Sequence, residues 1–246
     1  MLPHGVVSCA GCRYADSLLA GGHCDPDDVC VMAHSGRRID RFLKRHSAEA
    51  RHYLQDSFWE RRAIAARYAP LDLIVELGHD RDEVVRRVVA SRLPPHAVVA
   101  LIHDPDREVR ITVAHRLNAD DLLKMADDPD YMVRVVVASR LSHGKLPRLA
   151  NDPEREVRKT VARRLPAFAL ARLIDDPEVE VRRIVAERAL PHDAAQLLND
   201  PDWLVRLAAV QQAPLELIRE RLQDTEADVR HAAWERLQHG EKETNK

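Results

Sequence analysis

The 246-residue sequence has few aromatic side chains and no long hydrophobic run. Phe, Trp and Tyr make up only 4% of the residues although 45% are hydrophobic, so we expect a core of Val, Ala, Leu and Ile. No stretch reaches the roughly 18 apolar residues of a membrane-spanning helix. Met1–Val7 also lacks the basic and apolar regions of a secretory signal peptide. We therefore expect a cytoplasmic protein with no membrane partner.

A strong charge of one sign and the common catalytic signatures are also missing. Charged residues make up 32% of the chain, yet the formal net charge is −2 and the sequence pI is about 6.7. This balance gives no global indication of nucleic-acid binding. Nothing in the sequence matches a phosphate-binding loop, a nucleophile–base motif or the H-E-x-x-H pattern. We predict that the chain is not an enzyme.

The dominant feature that is present is a repeat with a constant period, which continues without a gap almost to the end of the sequence. An aspartate recurs at a constant interval, which equals the separation between Asp104 and Asp128. An arginine follows six positions after each aspartate. A fixed period of this length is typical of a solenoid, in which each unit packs mainly against its neighbours. The aspartates are Asp56, Asp80, Asp104, Asp128, Asp152, Asp176, Asp200 and Asp224; the arginines are Arg62, Arg86, Arg110, Arg134, Arg158, Arg182, Arg206 and Arg230.

Each repeat predicts one helix followed by a shorter element. In the third copy, Asp104 and Pro105 suit the cap and first position of a helix, and Val109, Val113 and Leu117 form an apolar stripe along it. About nine residues remain before the next aspartate, so we predict a short helix or a 3₁₀ turn there. No copy alternates polar and apolar residues over the length of a strand, which argues against an ordinary leucine-rich repeat.

The constant spacing of aspartate and arginine predicts a structural pairing. Residues six apart do not face each other on one helix. We therefore expect each arginine to reach the aspartate of an adjacent repeat, while that aspartate caps its own helix. In the alternative, the arginine stem only covers apolar surface.

All four cysteines lie close to the N-terminus, at Cys9, Cys12, Cys24 and Cys30, with the spacing C-x2-C-x11-C-x5-C. A segment this short and polar has too little apolar core to fold alone, and metal ligation would supply the missing folding energy. Four thiolates suit tetrahedral zinc, which the spacing favours slightly, or an iron–sulfur cluster. Disulfides are not expected without an export signal. Three histidines are secondary ligand candidates, although four cysteines complete a set: His4, His23 and His34.

The whole pattern resembles a known family, the iron–sulfur leucine-rich repeat variant proteins of nitrogen-fixing bacteria. A cysteine-rich N-terminus followed by D-P-x-x-x-V-R-x-x-V-A-x-R-L units covers essentially the full chain. The resemblance implies a [4Fe–4S] cluster on Cys9, Cys12, Cys24 and Cys30. It also implies an all-α, right-handed superhelix in which α-helices alternate with 3₁₀-helices. The repeat core is similar to HEAT-like repeats too, and these are mostly protein-binding scaffolds.

These features divide the chain into four predicted segments. The copies nearest the ends depart from the consensus, as in Ser57, Arg61 and Thr225, which is expected of units that cap a stack. A helix over Ser35–Leu54, with Ile39, Phe42, Leu43 and His46 on one side, would connect the cysteines to the repeats. The segments are a cysteine-rich iron–sulfur segment at 1–36, a helical cap or degenerate repeat at 37–55, eight repeats at 56–240 and a polar tail at 241–246.

Together these features predict an iron–sulfur repeat protein whose solenoid binds a macromolecular partner, most simply a protein. The cluster would transfer electrons, sense oxidant or only hold the N-terminus together. The fourth repeat position varies strongly, and if it binds a partner, Trp59, Tyr131 and Trp203 should be partly exposed on one surface; an unconstrained surface would vary in the same way. The rival hypothesis is a nucleic-acid-binding helical solenoid with a structural four-cysteine zinc site.

One region is locally basic. Residues 37–68 hold nine Arg or Lys and four acids, a net charge of +5, whereas residues 1–36 carry a net charge of −3. This pattern indicates either a docking site for nucleic acid or an acidic partner, or charges that only offset the anionic cluster segment.

Overall fold

The computed structural model describes residues 9–244, with side chains to residue 240. Over that range the chain consists of helices and turns, apart from one isolated antiparallel bridge between Asp25 and Val29. It forms two compact units, Met1–Asn118 and Ala119–Lys246. The predicted all-α fold is confirmed. The last helix continues to Thr244, so the predicted tail at 241–246 lies partly in this helix and partly outside the described residues.

Each repeat contains one long α-helix, and a further helix precedes the first repeat. The repeat helices have ten residues each, except for the longer last one. The helices are α1 (Gly36–Arg45), α2 (Trp59–Tyr68), α3 (Glu83–Arg92), α4 (Arg107–Arg116), α5 (Tyr131–Arg140), α6 (Arg155–Arg164), α7 (Val179–Arg188), α8 (Trp203–Gln212) and α9 (Ala227–Thr244).

A 3₁₀-helix follows the long helix in each repeat up to the last helix, as the repeat length predicted. In several copies one short α-turn comes first, at Leu71–Ile74, Pro95–Val98, Pro191–Gln196 and Leu215–Ile218. The 3₁₀-helices of the repeats are Val75–His79, Val99–Leu101, Asp121–Met125, Leu146–Leu149, Ala167–Leu173, Leu197–Asn199 and Arg219–Gln223.

The helix of each repeat begins later than predicted. In the third copy the N-cap is Asp106, whose carboxylate accepts hydrogen bonds from the backbone N–H groups of Glu108 and Val109 at 2.9 and 3.1 Å. Asp104 instead accepts a bond from the N–H of Asp106 at 2.9 Å and so closes the turn before the helix. The predicted capping role of Asp104 and the helical position of Pro105 are therefore wrong, because this turn precedes the helix.

The same positions of each repeat form the core. In α6, Val157 and Val161 are fully buried, and so are Leu165 just after the helix and Leu170 in the next 3₁₀-helix. Burial of each such side chain contributes roughly 1.5–3 kcal/mol. The same spacing recurs in successive repeats, so each repeat presents the same apolar positions to the core of its compact unit.

The predicted pairing of arginine and aspartate is confirmed between adjacent repeats. Arg134 donates from Nε and Nη2 to the two carboxylate oxygens of Asp152, at 2.7 and 2.9 Å. Its Nη1 donates to the backbone oxygen of Asp128 at 2.7 Å. The hydrogen bond to Asp152 raises the pKa of Arg134 above its ordinary value. The pairs are Arg62–Asp80, Arg86–Asp104, Arg134–Asp152, Arg158–Asp176, Arg182–Asp200 and Arg206–Asp224.

A second set of arginines crosses between repeats in the opposite direction. Arg164, near the end of α6, donates from Nη1 to the backbone oxygens of Ala138 and Leu141, both at 2.7 Å. These oxygens lie at the C-terminus of α5, where helical carbonyls lack partners within the helix. The same bonds are made by Arg92, Arg188 and Arg236.

The connection before the repeats is not a single helix. Helix α1 ends at Arg45, and a 3₁₀-helix covers Ser47–Tyr53. His46 interrupts the helix with ψ of 57°, and its Nε2 lies 3.1 Å from the backbone oxygen of His23. The prediction of one helix over Ser35–Leu54 is therefore wrong, because this residue turns toward the cysteine segment.

Candidate metal centre

Cys9 and Cys12 lie in one tight turn. The backbone N–H of Cys12 donates to the oxygen of Cys9 at 3.1 Å. Gly11 between them has φ of 77°, in the left-handed region that favours glycine. This conformation brings two of the predicted ligands within one turn of the backbone.

Cys24 and Cys30 flank the antiparallel bridge. The N–H of Asp25 donates to the oxygen of Val29 at 3.0 Å, and the N–H of Val29 donates to the oxygen of Asp25 at 2.7 Å. The residue before and the residue after such a pair lie opposite each other on adjacent backbone segments. The bridge therefore holds Cys24 and Cys30 next to each other. Cys30 is buried, whereas the other three cysteines are partly exposed.

The thiols of Cys24 and Cys30 are affected by burial and by the other cysteines. Burial, followed by the charges of Cys30, Cys12 and Cys9, raises the pKa of Cys24 to about 11. Burial also raises the pKa of Cys30, although backbone N–H groups of Met32 and Ala33 donate to its sulfur and act in the opposite direction. Four thiolates without a cation repel one another, so a metal that binds them must displace their protons and balance their charge.

No other side chains of the described segment complete a compact ligand set. Within residues 9–240, no group of three or more His, Cys, Asp or Glu side chains, the four cysteines included, is placed so that it could hold a single metal ion. The ring of His34 packs 5.1 Å from that of Phe58, and His23 is exposed. His4 lies outside the described residues.

A buried phenol beside the cysteines has no acceptor. Tyr53 is 6% exposed, and its hydroxyl has no partner of good hydrogen-bond geometry within the described residues. Burial raises the pKa of Tyr53, although the Tyr14 hydroxyl lies close enough to lower this pKa as a hydrogen-bond partner. The hydroxyl of the neighbouring Tyr14 donates a hydrogen bond to Oε2 of Glu49 at 2.8 Å. Cys12 is among the charges that act on Tyr53. An all-sulfur donor set with a spare O–H group beside it fits a metal–sulfur cluster, whose sulfurs accept hydrogen bonds.

Arg61 joins the cysteine segment to the first repeat. Its Nε donates to the backbone oxygen of Val31 at 2.7 Å and its Nη2 to that of Met32 at 3.3 Å. Its Nη1 donates to both carboxylate oxygens of Asp56 at 2.8 Å. Only 5% of this residue is exposed. The sequence shows Arg61 as a departure from the valine of the repeat, and this departure fixes the backbone that follows Cys30.

Helix α1 also packs against the cysteine segment. The ring of Phe42 lies 5.0 Å from that of Tyr14, and Phe42 is fully buried together with Ile39 and Leu43, as predicted. Burial, followed by hydrogen bonding with Tyr53 and with Glu49, raises the pKa of Tyr14 far above its ordinary value. Since Tyr14 follows Cys12 closely in the chain, this contact also fixes the first cysteine turn.

The aromatic residues at the fourth repeat position are partly exposed, as predicted. Trp59 is 39% exposed and Tyr131 is 38% exposed, while Trp203 has intermediate exposure. Each is the first residue of its helix. Trp59 belongs to the first compact unit and the other two to the second, so the single shared surface stays a prediction.

No helix in the described part of the chain is long and apolar enough to cross a membrane.

Comparisons with known proteins agree with both parts of the chain. A family model described as "LRV protein FeS4 cluster" matches residues 5–52, and one described as "Leucine rich repeat variant" matches residues 107–130 and 155–178. A solved structure described as a leucine-rich repeat variant with a novel repetitive protein structural motif is 52% identical. It superposes with a TM-score of 0.87, over 92% of this chain and 97% of that chain.

A second relative matches over a shorter stretch. An uncharacterized 27.7 kDa protein in the nifB 3'region of Rhodobacter capsulatus is 39% identical over 87 residues. The match covers 35% of this chain and 35% of that protein.

Proposed function

The chain belongs to the leucine-rich repeat variant family, and from this membership we propose that it is a non-enzymatic redox protein with a [4Fe–4S] cluster on Cys9, Cys12, Cys24 and Cys30. The matching N-terminal model implies an iron–sulfur cluster within residues 5–52, a range that includes all four cysteines. The observation that carries the ligand assignment is the backbone geometry: one turn joins Cys9 to Cys12, and the bridge between Asp25 and Val29 places Cys24 beside Cys30.

The protein's residues hold such a cluster and adjust its electron affinity. The turn at Gly11 and the bridge between Asp25 and Val29 present the cysteines in two pairs. The N–H groups that donate to the Cys30 sulfur stabilise its negative charge, and hydrogen bonds to cluster sulfurs set the reduction potential. Bound in this way, the cluster supplies one-electron chemistry.

The repeats serve as the scaffold for a protein partner. Within each compact unit, the buried arginine–aspartate pairs stabilise adjacent repeats against each other, which leaves the exposed and variable positions free for recognition. We place the protein in the context of nitrogen fixation, with support from the relative named for the nifB 3'region. Cytoplasmic location accords with this role.

Anaerobic purification tests the proposal. We expect brown protein with about four irons and four sulfides per chain, as the cluster formula requires, and a reversible one-electron couple in voltammetry. Cys24→Ser should lose the colour, whereas Ser17→Ala in the same segment should keep it. A colourless anaerobic sample with one zinc per chain would overturn the redox assignment in favour of a structural zinc site. Salt-dependent binding of that zinc form to DNA would then support the nucleic-acid-binding solenoid.

A further inference from the structure

Helix α1 has one apolar and one basic side. Its apolar side packs inward through Ile39, Phe42 and Leu43. The basic residues recur at i, i+4, i+7 and i+8, which puts them on one side of a helix. These four exposed residues, called the basic face, are Arg37, Arg41, Lys44 and Arg45.

The basic face lies beside the cysteine segment. Arg41 forms an ion pair with Asp28, in the loop between Cys24 and Cys30. At the end of the same helix, His46 contacts the backbone oxygen of His23 at 3.1 Å. Charges on this helix are therefore close to the predicted ligands.

Charge balance within the protein does not account for the basic face. If these residues served only to offset the acidic cysteine segment, they would pair with its carboxylates. Arg41 does so, whereas Arg37, Lys44 and Arg45 have no acidic partner within the described residues. By contrast, Lys159 on α6 pairs with two glutamates. Three uncompensated cations thus remain exposed on one helix.

We propose that the basic face docks an acidic electron-carrier protein, which exchanges one electron with the cluster; this inference rests on the proposed function. One electron passes between the carrier's redox centre and the cluster. The centre that donates the electron is oxidised by one electron, and the centre that accepts it is reduced by one electron. No bond forms or breaks. Complementary charges at such a contact accelerate encounter and set its orientation.

The size of the face favours a globular protein over a nucleic acid. From Arg37 to Arg45 the helix rises about 12 Å. A nucleic acid carries its charge along the whole strand. Beyond the basic face it would meet the exposed carboxylates of Asp16, Asp25 and Asp27. A carrier with a compact acidic patch pairs with the face and avoids these carboxylates.

The test uses the intact, cluster-loaded protein and a [2Fe–2S] ferredoxin selected for an acidic surface. Calorimetry at low and high salt gives the affinity, and stopped-flow mixing of reduced protein with oxidised ferredoxin gives the electron-transfer rate. The variant Arg37→Glu/Lys44→Glu/Arg45→Glu keeps Arg41 and its ion pair with Asp28. The control Arg87→Glu/Arg163→Glu/Arg183→Glu makes the same change in net charge on exposed residues of the repeat helices.

We expect binding that weakens with salt, a loss of affinity and rate of about tenfold or more in the basic-face variant, and a change within about twofold in the control. Equal losses in both variants, or no binding by the wild type at low salt, would overturn the proposal. Tighter binding of a short DNA duplex that competes with ferredoxin would replace it with nucleic-acid docking. If the protein has a reversible iron–sulfur couple but does not bind ferredoxin, this inference is wrong while the proposed function stands. A zinc-loaded protein rejects the proposed function itself.

Discussion

The guanidinium of Arg61 donates a hydrogen bond of 2.7 Å to the backbone oxygen of Val31, far earlier in the chain. The same side chain binds Asp56 at the start of the first repeat. A single buried residue thus connects the loop after Cys30 to the solenoid. Stability of the metal centre and order of the first repeat should therefore depend on each other.

Arg61→Val, which restores the consensus residue, should loosen the cysteine segment. The change removes charge-assisted hydrogen bonds and leaves Asp56 without its main partner, so we expect the first unit to lose about 2–3 kcal/mol of stability. Hydrogen exchange should increase at residues 22–34, and the metal should dissociate faster. Arg67→Ala, which removes an exposed ion pair with Asp40, is the control and should change little. Unchanged exchange in Arg61→Val would show that the loop is held by other contacts.

Arg134→Ala should destabilise the second unit by roughly 3 kcal/mol, because the buried carboxylate of Asp152 then keeps its charge without its partner. Urea denaturation measures the effect. The matched control is Arg155→Ala, whose exposed contacts with Glu156 and Glu178 should contribute less than about 1 kcal/mol. Equal losses in both variants would contradict a special role for the buried pair.

Acid should weaken the last arginine–aspartate pair. The hydrogen bond from Arg206 lowers the pKa of Asp224 below its ordinary value of 3.8. A carboxylate whose folded pKa is depressed contributes stability that is present above the unfolded pKa and is lost as pH falls through the folded pKa. Stability measured by urea denaturation should fall below about pH 4, and Asp224→Asn should flatten this dependence. Asp127→Asn, at an exposed carboxylate, should leave the slope unchanged.

Tyr53→Phe should affect the metal-free protein and the cluster-loaded protein differently. Without metal the hydroxyl has no acceptor, so its removal should leave stability unchanged or raise it by about 1 kcal/mol. In loaded protein the variant should lose the cluster faster, if a cluster sulfur accepts the phenol proton. The control Tyr14→Phe removes the bond to Glu49 and should destabilise both forms. Neutral behaviour of Tyr53→Phe in both forms would exclude contact with the cluster.

The repetitive part of the fold could be predicted because each local signal recurs in every copy. Asp152 and Arg134 are found in the predicted pairing, and Val157 and Val161 lie in the predicted core. The exact helix start could not be predicted, because two acidic residues of the third copy are each able to cap a helix. Hydrogen bonding selects Asp106, since Asp104 is engaged by Arg86.

The metal centre was only partly predictable for a different reason. The spacing of the cysteines identifies a local ligand set, but the contacts that hold this set are made once in the chain and leave no periodic trace. The bond from Arg61 to Val31 and that from Tyr14 to Glu49 link residues far apart in the sequence. In the sequence, Arg61 could be recognised only as a departure from the repeat consensus. Such a departure marks an unusual position but does not predict which residue it contacts.

The two sets of arginines restrict how this protein can change its length. In the second unit, Arg134 reaches forward to Asp152, while Arg164 reaches back to Ala138, so the same boundary between repeats is crossed from both sides. An insertion of a few residues between these points would break both bonds at once. Addition or removal of a whole repeat would break none, because the new boundary carries identical partners. Natural variants should therefore differ in length by whole repeats. The terminal repeats should be retained, and the number of interior repeats should vary.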